Sequence, residues 1–354
     1  MPTAFDPIVL GKYELANRIV MAPMSRSRAY GPEACPGPSA ALYYRQRASA
    51  GLVITEGIQP SAIARGYPAT PGLSSPAQVA AWRTVTDAVH SVGSTIFAQL
   101  MHAGRIGHPT LLPAGAQPVG PSPVTAAAQV FTPDGPQRCV RPRALDDAEI
   151  DATIADFVAV ARNAVVAGFD GVELHGANGF LIHQFLSDNA NLRTDSWGGS
   201  TGNRIRFAVT TATAVAGAIG AERVGVQISP GNPYNDMVDS RETYSALVDT
   251  LDQLGLAYLN VSAGPDYELT QRLRARWSSV FVLNPWTGPR PTGLEDLHLV
   301  ADGSADMVSF GKLFLANPDL PRRLACGGPF NTPDPSSFYG GYDQGYVDYP
   351  ALAD

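Results

Sequence analysis

Short runs of apolar residues recur along the chain, each ending in a polar or glycine-containing turn. They are Ile19–Met24, Leu52–Thr55, Thr95–Leu100, Val172–Leu174, Val224–Ile228, Tyr258–Val261, Val280–Leu283 and Met307–Phe310. Strands covered on both faces read as continuous apolar runs rather than as alternation, so the pattern predicts eight buried strands. Between them the spacing shifts to the helical period. Asp147–Gly168 puts Ile150, Ile154, Phe157, Val158, Ala161 and Val165 on one face, with Asp146 or Asp147 as its cap. Pro76–Val92, Asn203–Ile219, Ser240–Leu254, Leu294–Ala301 and Leu320–Ala325 carry similar patterns, and Tyr267–Trp277 a weaker one. Eight strands alternating with helices and no linker predict one α/β domain over residues 1–354, a (β/α)8 TIM barrel. An open doubly wound sheet fits eight units less well and lacks its glycine fingerprint after the first strand.

One segment breaks the alternation. Residues 106–143, after the third strand, are rich in Pro and Gly and have no helical period. A connection of that length is usually functional, and it is expected to form a cap over the barrel mouth.

Composition narrows the function. Charged residues make up 16% of the chain, below the usual ~25%. A net charge of −7 argues against a nucleic-acid or anionic-membrane surface. Cys35, Cys139 and Cys326 are far apart and show no ligand spacing, so neither a disulfide framework nor a metal site is expected. No apolar run is long enough to span a membrane, and the first residues lack a signal-peptide pattern. A cytoplasmic protein acting on a small molecule is the expectation, with homo-oligomerisation open. Only Lys12 and Lys312 are lysine among 25 basic residues.

In a barrel of this kind, chemistry belongs at the C-terminal ends of the strands. Those ends carry Pro23-Met24-Ser25, Glu56-Gly57, Gln99 with Met101, His102 and Arg105, then His175 to Gly179, Gln227 with Ser229, Asn284 and Gly311-Lys312. His175 and Asn178 are the sharpest pair, two neutral donors suited to hold a carbonyl or phenolate oxygen. The plainer alternative is a structural histidine beside a turn asparagine. The dense pairs Arg26/Arg28 and Arg204/Arg206 read as ties for loops and helix ends through ion pairs. His102 and Arg105 read as pocket-rim candidates, and His90 and His298 as surface residues.

Longer motifs point further. NRIVMAPMSRSRA (Asn17–Ala29), GLVITEG (Gly51–Gly57), AQLMHAGR (Ala98–Arg105), the stretch Gly171–Phe207, FGKLFLANPDLPRR (Phe310–Arg323) and GYVDYP (Gly345–Pro350) together span nearly the whole chain. They resemble the old yellow enzymes, FMN-dependent ene-reductases on a (β/α)8 barrel that take electrons from NAD(P)H. The resemblance implies that Pro23, Met24, Ser25, Gly57 and Gln99 contact the flavin ring. It also implies that His175 and Asn178 hold the substrate's activating oxygen and that Met101 and Tyr339 border the substrate pocket.

Four positions depart from the family pattern. Phe180 stands where the family has its Tyr proton donor, and a phenyl ring cannot donate a proton. Gln227 replaces an Arg near flavin N1 and O2. Asn284-Pro285 replaces a glycine turn that offers N–H groups to the FMN phosphate, and proline has none. Lys312, after Gly311, replaces the phosphate-binding Arg, keeping charge but losing the planar fork. Each lost charge-assisted hydrogen bond costs roughly 1.5–3 kcal/mol. Compensation would have to come from Arg272, Arg274, Arg276 or Arg290. Three readings follow: a divergent flavin oxidoreductase acting on an unsaturated carbonyl, for which a natural-product tailoring step is plausible; a flavin-free cyclase or isomerase; and an inactive binding module.

Overall fold

Eight parallel strands hydrogen-bond side to side until the last meets the first. In the computed structural model, which describes residues 1–31 and 33–353, they are β1 (Ile19–Met21), β2 (Leu52–Ile54), β3 (Thr95–Leu100) and β4 (Gly171–Gly176), followed by β5 (Val224–Ile228), β6 (Tyr258–Ser262), β7 (Val280–Asn284) and β8 (Met307–Phe310). The ring closes where Val308 pairs with Ile19 and Ser309 with Val20. β1 stops at Met21, earlier than its apolar run, and Pro23 just beyond it cannot donate to a ladder. β4 runs to Gly176, longer than the run Val172–Leu174, because its inward residues Glu173 and His175 are polar yet fully enclosed.

Helices α1 (Ala40–Gln46), α2 (Pro76–His90), α3 (Asp147–Val166), α4 (Leu181–Leu186), α5 (Thr201–Ile219), α6 (Arg241–Asp252) and α7 (Tyr267–Arg274) surround the ring. The short α8 (His298–Ala301), α9 (Lys312–Ala316) and α10 (Leu320–Cys326) complete it. Their starts are set by local chemistry. Ser75 accepts the Gln78 N–H while Gln78 reaches back, with Pro76 at the first helical position. Asp146, not Asp147, caps α3, paired with Glu149. Replacing Ser75 with Ala should cost about 1 kcal/mol, measured by urea unfolding. α1 and α4, at 7 and 6 residues, are too short to show a helical period and were not legible in the chain.

Two apolar cores result. One fills the space between strands and helices, around Trp82, Phe157, Phe185, Phe207 and Tyr244. The other fills the barrel itself with Val20, Leu52, Ile54, Phe97, Tyr258, Val282 and Met307. An antiparallel hairpin, Ile8–Leu10 with Tyr13–Leu15, sends Leu10 and Leu15 into this second core and closes the barrel floor. Gly225 is required there, because a Cβ would lie 2.2 Å from the Tyr258 ring.

The segment after β3 carries two single-turn 3-10 helices, a parallel strand pair (Val119–Gly120 with Arg143–Ala144) and a hairpin (Gln129–Thr132 with Gly135–Arg138). Its Ile106, Leu111, Ala126, Val130 and Cys139 pack with Met101 and Phe180 in a third cluster. The capping segment therefore meets the ends of β3 and β4 through apolar contacts.

Among the described residues no helix is long and apolar enough to cross a membrane, and no cluster of His, Cys, Asp or Glu could hold a metal. All three cysteines are free.

Candidate active site

Above the apolar floor the barrel interior turns polar. Side chains two residues apart on a strand share a face, so Glu173 and His175 both point inward from β4. Glu173 is fully buried and no cation reaches it. Its Oε1 accepts from Gln99 Nε2 and its Oε2 from Asn260 Nδ2, each at 2.9 Å. Gln99 Nε2 also donates to Gln227 Oε1 at 2.9 Å. Burial, only partly countered by these amides, pushes the Glu173 carboxyl up to about 7. The layer is therefore an amide lattice around one carboxyl group that readily holds a proton.

His175 lies one layer higher, in register with Gln227. Burial, with a smaller push from His183, pulls its imidazole down to about 3. Its Nδ1 is buried with no hydrogen-bond partner. Asn178 follows in a left-handed turn, with φ 56 there and 78 at Gly179. A Cβ on Gly179 would sit 2.6 Å from that of Asn235, so the close approach needs glycine.

That turn is clamped from three sides. Asn178 N–H donates to Ser229 Oγ at 2.8 Å, Asn235 Nδ2 donates to the Asn178 carbonyl at 2.8 Å, and Gly179 N–H donates to His183 Nδ1 at 3.0 Å. Since Nδ1 accepts, the His183 hydrogen sits on Nε2, 3.0 Å from both oxygens of Asp239. The strained backbone at Asn178 is thus held by the loop after β5, which orients the side-chain amide.

Phe180 packs edge-on against His175, ring centroids 4.9 Å apart, and against Tyr67 at 6.2 Å. Two strands around the barrel from β4, Glu56 at the end of β2 accepts the Arg26 N–H at 3.1 Å, and burial raises its carboxyl to about 7. Gly57 follows it, and a Cβ there would meet Met101 Sδ at 2.8 Å. Pro23, Met24 and Ser25 are half-buried beside it.

The far end, after β7 and β8, differs. Asn284 Nδ2 donates to the Ser309 carbonyl at 2.8 Å and to Thr292 Oγ1 at 3.2 Å, so the side chain bridges the two strands. Gly311 has open space beside it, its nearest neighbour being Met24 Sδ at 3.7 Å, and Lys312 is exposed. The arginines expected to compensate are engaged elsewhere. Arg274 pairs with Asp306, Arg276 with Asp249, and Arg290 with Asp296 and Glu295. Arg272 is exposed on α7.

Other expectations are revised by the packing. Arg26 and Arg28 tie loops, but through carbonyl oxygens of the C-terminal segment, including Phe338, Tyr342, Gln344 and Gly345, rather than through ion pairs. Arg204 donates to the Ser187 and Asn191 carbonyls and lies 3.4 Å from Asp188, whereas Arg206 reaches only Asn203. His102 and Arg105 do not line a rim. Both are buried, and Arg105 holds the Asp236 carbonyl at 2.8 Å. Tyr339, 63% exposed, stands at the outer edge near Tyr67 and Tyr234.

A barrel with this polar layer and a His–Asn pair at the end of its fourth strand can be compared with known proteins. The model of the NADH:flavin oxidoreductase / NADH oxidase family matches residues 3–331. The chain belongs to that family, the old yellow enzymes. It is 42% identical to the putative 12-oxophytodienoate reductase 6 of Oryza sativa subsp. japonica, over 96% of this chain and 88% of that one. It is also 42% identical to a chanoclavine-I aldehyde reductase of Penicillium roqueforti, covering 100% and 98% of the two chains. Among solved structures, morphinone reductase in complex with tetrahydroNAD superposes with a TM-score of 0.94 at 40% identity, over 100% of this chain and 99% of that one. The old yellow enzyme homologue of Zymomonas mobilis gives 0.95 at 38%, over 99% and 100%. Membership makes this chain an oxidoreductase of an FMN-dependent family.

The chain's residues would fit the ring of that cofactor, and fewer of them are free to take its phosphate end. Gly57 leaves a bare backbone face, Gln99 and Gln227 are locked side by side in the amide layer, and the orphaned His175 Nδ1 awaits a partner. At the phosphate end Lys312 and the open face of Gly311 remain, while Asn284 is already engaged and Pro285 has no N–H.

Glu173, Tyr67, His183 and Asp239 were not singled out from the sequence. Glu173 was accessible by the period-two rule, two residues before His175. Tyr67 and Asp239 lie in loops with no periodic signal.

Proposed function

We propose that this protein is a flavin oxidoreductase acting on the double bond of a small α,β-unsaturated carbonyl compound, its oxygen held by His175 and Asn178. The observation that carries this is the neutral, buried His175 imidazole with an unpartnered nitrogen, beside an asparagine locked in a left-handed turn. Two neutral donors polarise a carbonyl and stabilise the enolate that forms as the β-carbon gains hydride. When bound, FMN supplies the redox centre, re-reduced by NAD(P)H. Pro23, Met24, Ser25, Gly57, Gln99 and Gln227 would hold its ring, and Asn284, Gly311 and Lys312 its phosphate end. Met101, Phe180 and the capping segment exclude water through their shared apolar cluster.

A second reading is favoured by one observation. Asn284 already closes the gap between β7 and β8, which suits a flavin-free barrel that isomerises or cyclises its substrate through the same His–Asn pair. A visible spectrum decides between them. Protein incubated with FMN and passed through a desalting column should stay yellow, and para-hydroxybenzaldehyde should perturb the flavin band. Colourless protein that still binds the aldehyde by calorimetry would overturn the flavin reading in favour of the second.

A further inference from the structure

Phe180 occupies the place of the family's acid, yet protonation of the substrate's α-carbon still needs a donor. Resting on the flavin reading above, we propose that Tyr67 is that donor, and that Tyr234 and Tyr339 connect it to solvent. The Tyr67 ring meets Phe180 edge-on at 6.2 Å and 87°, and Phe180 meets His175 at 4.9 Å. The phenol therefore stands one ring away from the imidazole that would hold the carbonyl.

Its placement is built. Ala103 N–H donates to the Ala64 carbonyl at 2.9 Å, which ties the loop after β2 to the end of β3. A Cβ on Gly66 would meet that of Ala103 at 2.5 Å, so the two segments are in close contact. Thr70 Oγ1 donates to the Tyr67 carbonyl at 3.1 Å and fixes the turn. Asn235, whose amide also holds the Asn178 carbonyl, lies beside the Tyr67 hydroxyl.

The remaining groups facing Tyr67 are phenols and a thiol. Tyr234, in the loop after β5, and Tyr339, in the C-terminal segment, lie within electrostatic range of it, and both are more than half exposed. Cys139 comes from the capping segment, with its own thiol pushed up by burial. Burial, then the nearby phenols and thiol, raises the Tyr67 hydroxyl well above its ordinary value, so it carries its hydrogen at neutral pH. His102 is also enclosed, but burial holds its imidazole at about 3, so no imidazolium is available there.

With FMN bound and reduced, hydride supplied to the β-carbon would leave an enolate. The enolate's electron pair then takes the Tyr67 proton to form the α C–H bond. The phenolate left behind regains a proton from water through Tyr234 and Tyr339. Flavin is oxidised, the alkene is reduced, and charge balances.

Tyr67→Phe keeps the ring and removes only the acid. The test measures three quantities on the flavin-loaded protein: calorimetric affinity for para-hydroxybenzaldehyde, turnover of a 2-methyl-substituted cyclohexenone in D2O, and the face of the α-carbon that receives deuterium. The expected result is unchanged aldehyde affinity, with kcat lower by about 10²-fold and KM within twofold. Deuterium should go to both faces in the variant and to one face in the wild type. Tyr67→Phe/Phe180→Tyr should recover rate and single-face delivery. Full rate with single-face delivery in Tyr67→Phe would overturn the proposal. Wild-type protein that binds the aldehyde but turns over no enone would instead overturn the flavin reading.

Discussion

Replacing His175 with Leu should lower kcat/KM for an unsaturated carbonyl by about 10²–10³-fold, and Asn178→Leu by a similar factor, because each removes one preorganised donor from the developing oxyanion. The two should not be additive, since either remaining donor anchors the same oxygen. His175 also carries a pH signature. Its imidazole is held at about 3, so ligand affinity should be flat from pH 5 to 9 in the wild type. A histidine binding as imidazolium would instead lose affinity as pH rises through the ordinary value near 6.5. Calorimetry of 2-cyclohexenone, which has no group titrating in this range, at several pH values checks this, and a fall on the alkaline side would remove the neutral-donor assignment.

Glu173→Gln should stabilise the protein at pH 8 by up to about 3 kcal/mol, with much less effect near pH 5. Its folded-state value, about 7, lies above the ordinary 4.5, so the native state binds this proton more tightly than the unfolded chain. The stability this contributes is complete below about pH 4.5 and is lost as pH rises to about 7. Glu56 behaves the same way. His175 and His102 act in the opposite sense, both held at about 3 against 6.5, so their contribution is lost as pH falls from 6.5. Two groups of each kind nearly cancel between about pH 4.5 and 6.5, where the wild type should show a flat stability profile. Glu173→Gln unbalances the set and should add a slope of about 1.4 kcal/mol per pH unit in that window, stability rising with pH. The amide is accommodated because Asn260 Oδ1 is buried without a partner, and a turned-over Asn260 can accept from the new N–H group. Urea unfolding at pH 5 and pH 8 measures the effect. Equal gains at both values would mean that Glu173 is ionised throughout.

Much of the barrel was legible in the chain because its signal is local. The runs Thr95–Leu100, Val224–Ile228 and Met307–Phe310 coincide with strands residue for residue, since strands enclosed on both faces must be apolar throughout. β1 and β4 deviate at the positions where the chain leaves the floor and enters the polar layer. Proline ends one, and the inward polar His175 hides the continuation of the other. α1 and α4 escaped because one or two turns cannot display a period.

The chemistry divides in the same way. The order of residue types alone determined the eight-unit barrel and placed His175, Asn178 and Phe180 just past one strand end, and Asn284, Gly311 and Lys312 at two others. Each of these is a matter of which residue follows a strand. Only the tertiary structure decided what stands around them. Tyr67 comes from the loop after β2, and nothing in its spacing foretells that its ring meets Phe180 edge-on. Glu173 was visible as a residue but not as a cationless, enclosed carboxyl, because its environment is contributed by β3 and β6. Arg274, Arg276 and Arg290, which sequence order could not place, are turned toward carboxylates of neighbouring elements. Pair energies depend on distances through space, and sequence order does not encode distances between segments that meet only when the barrel closes.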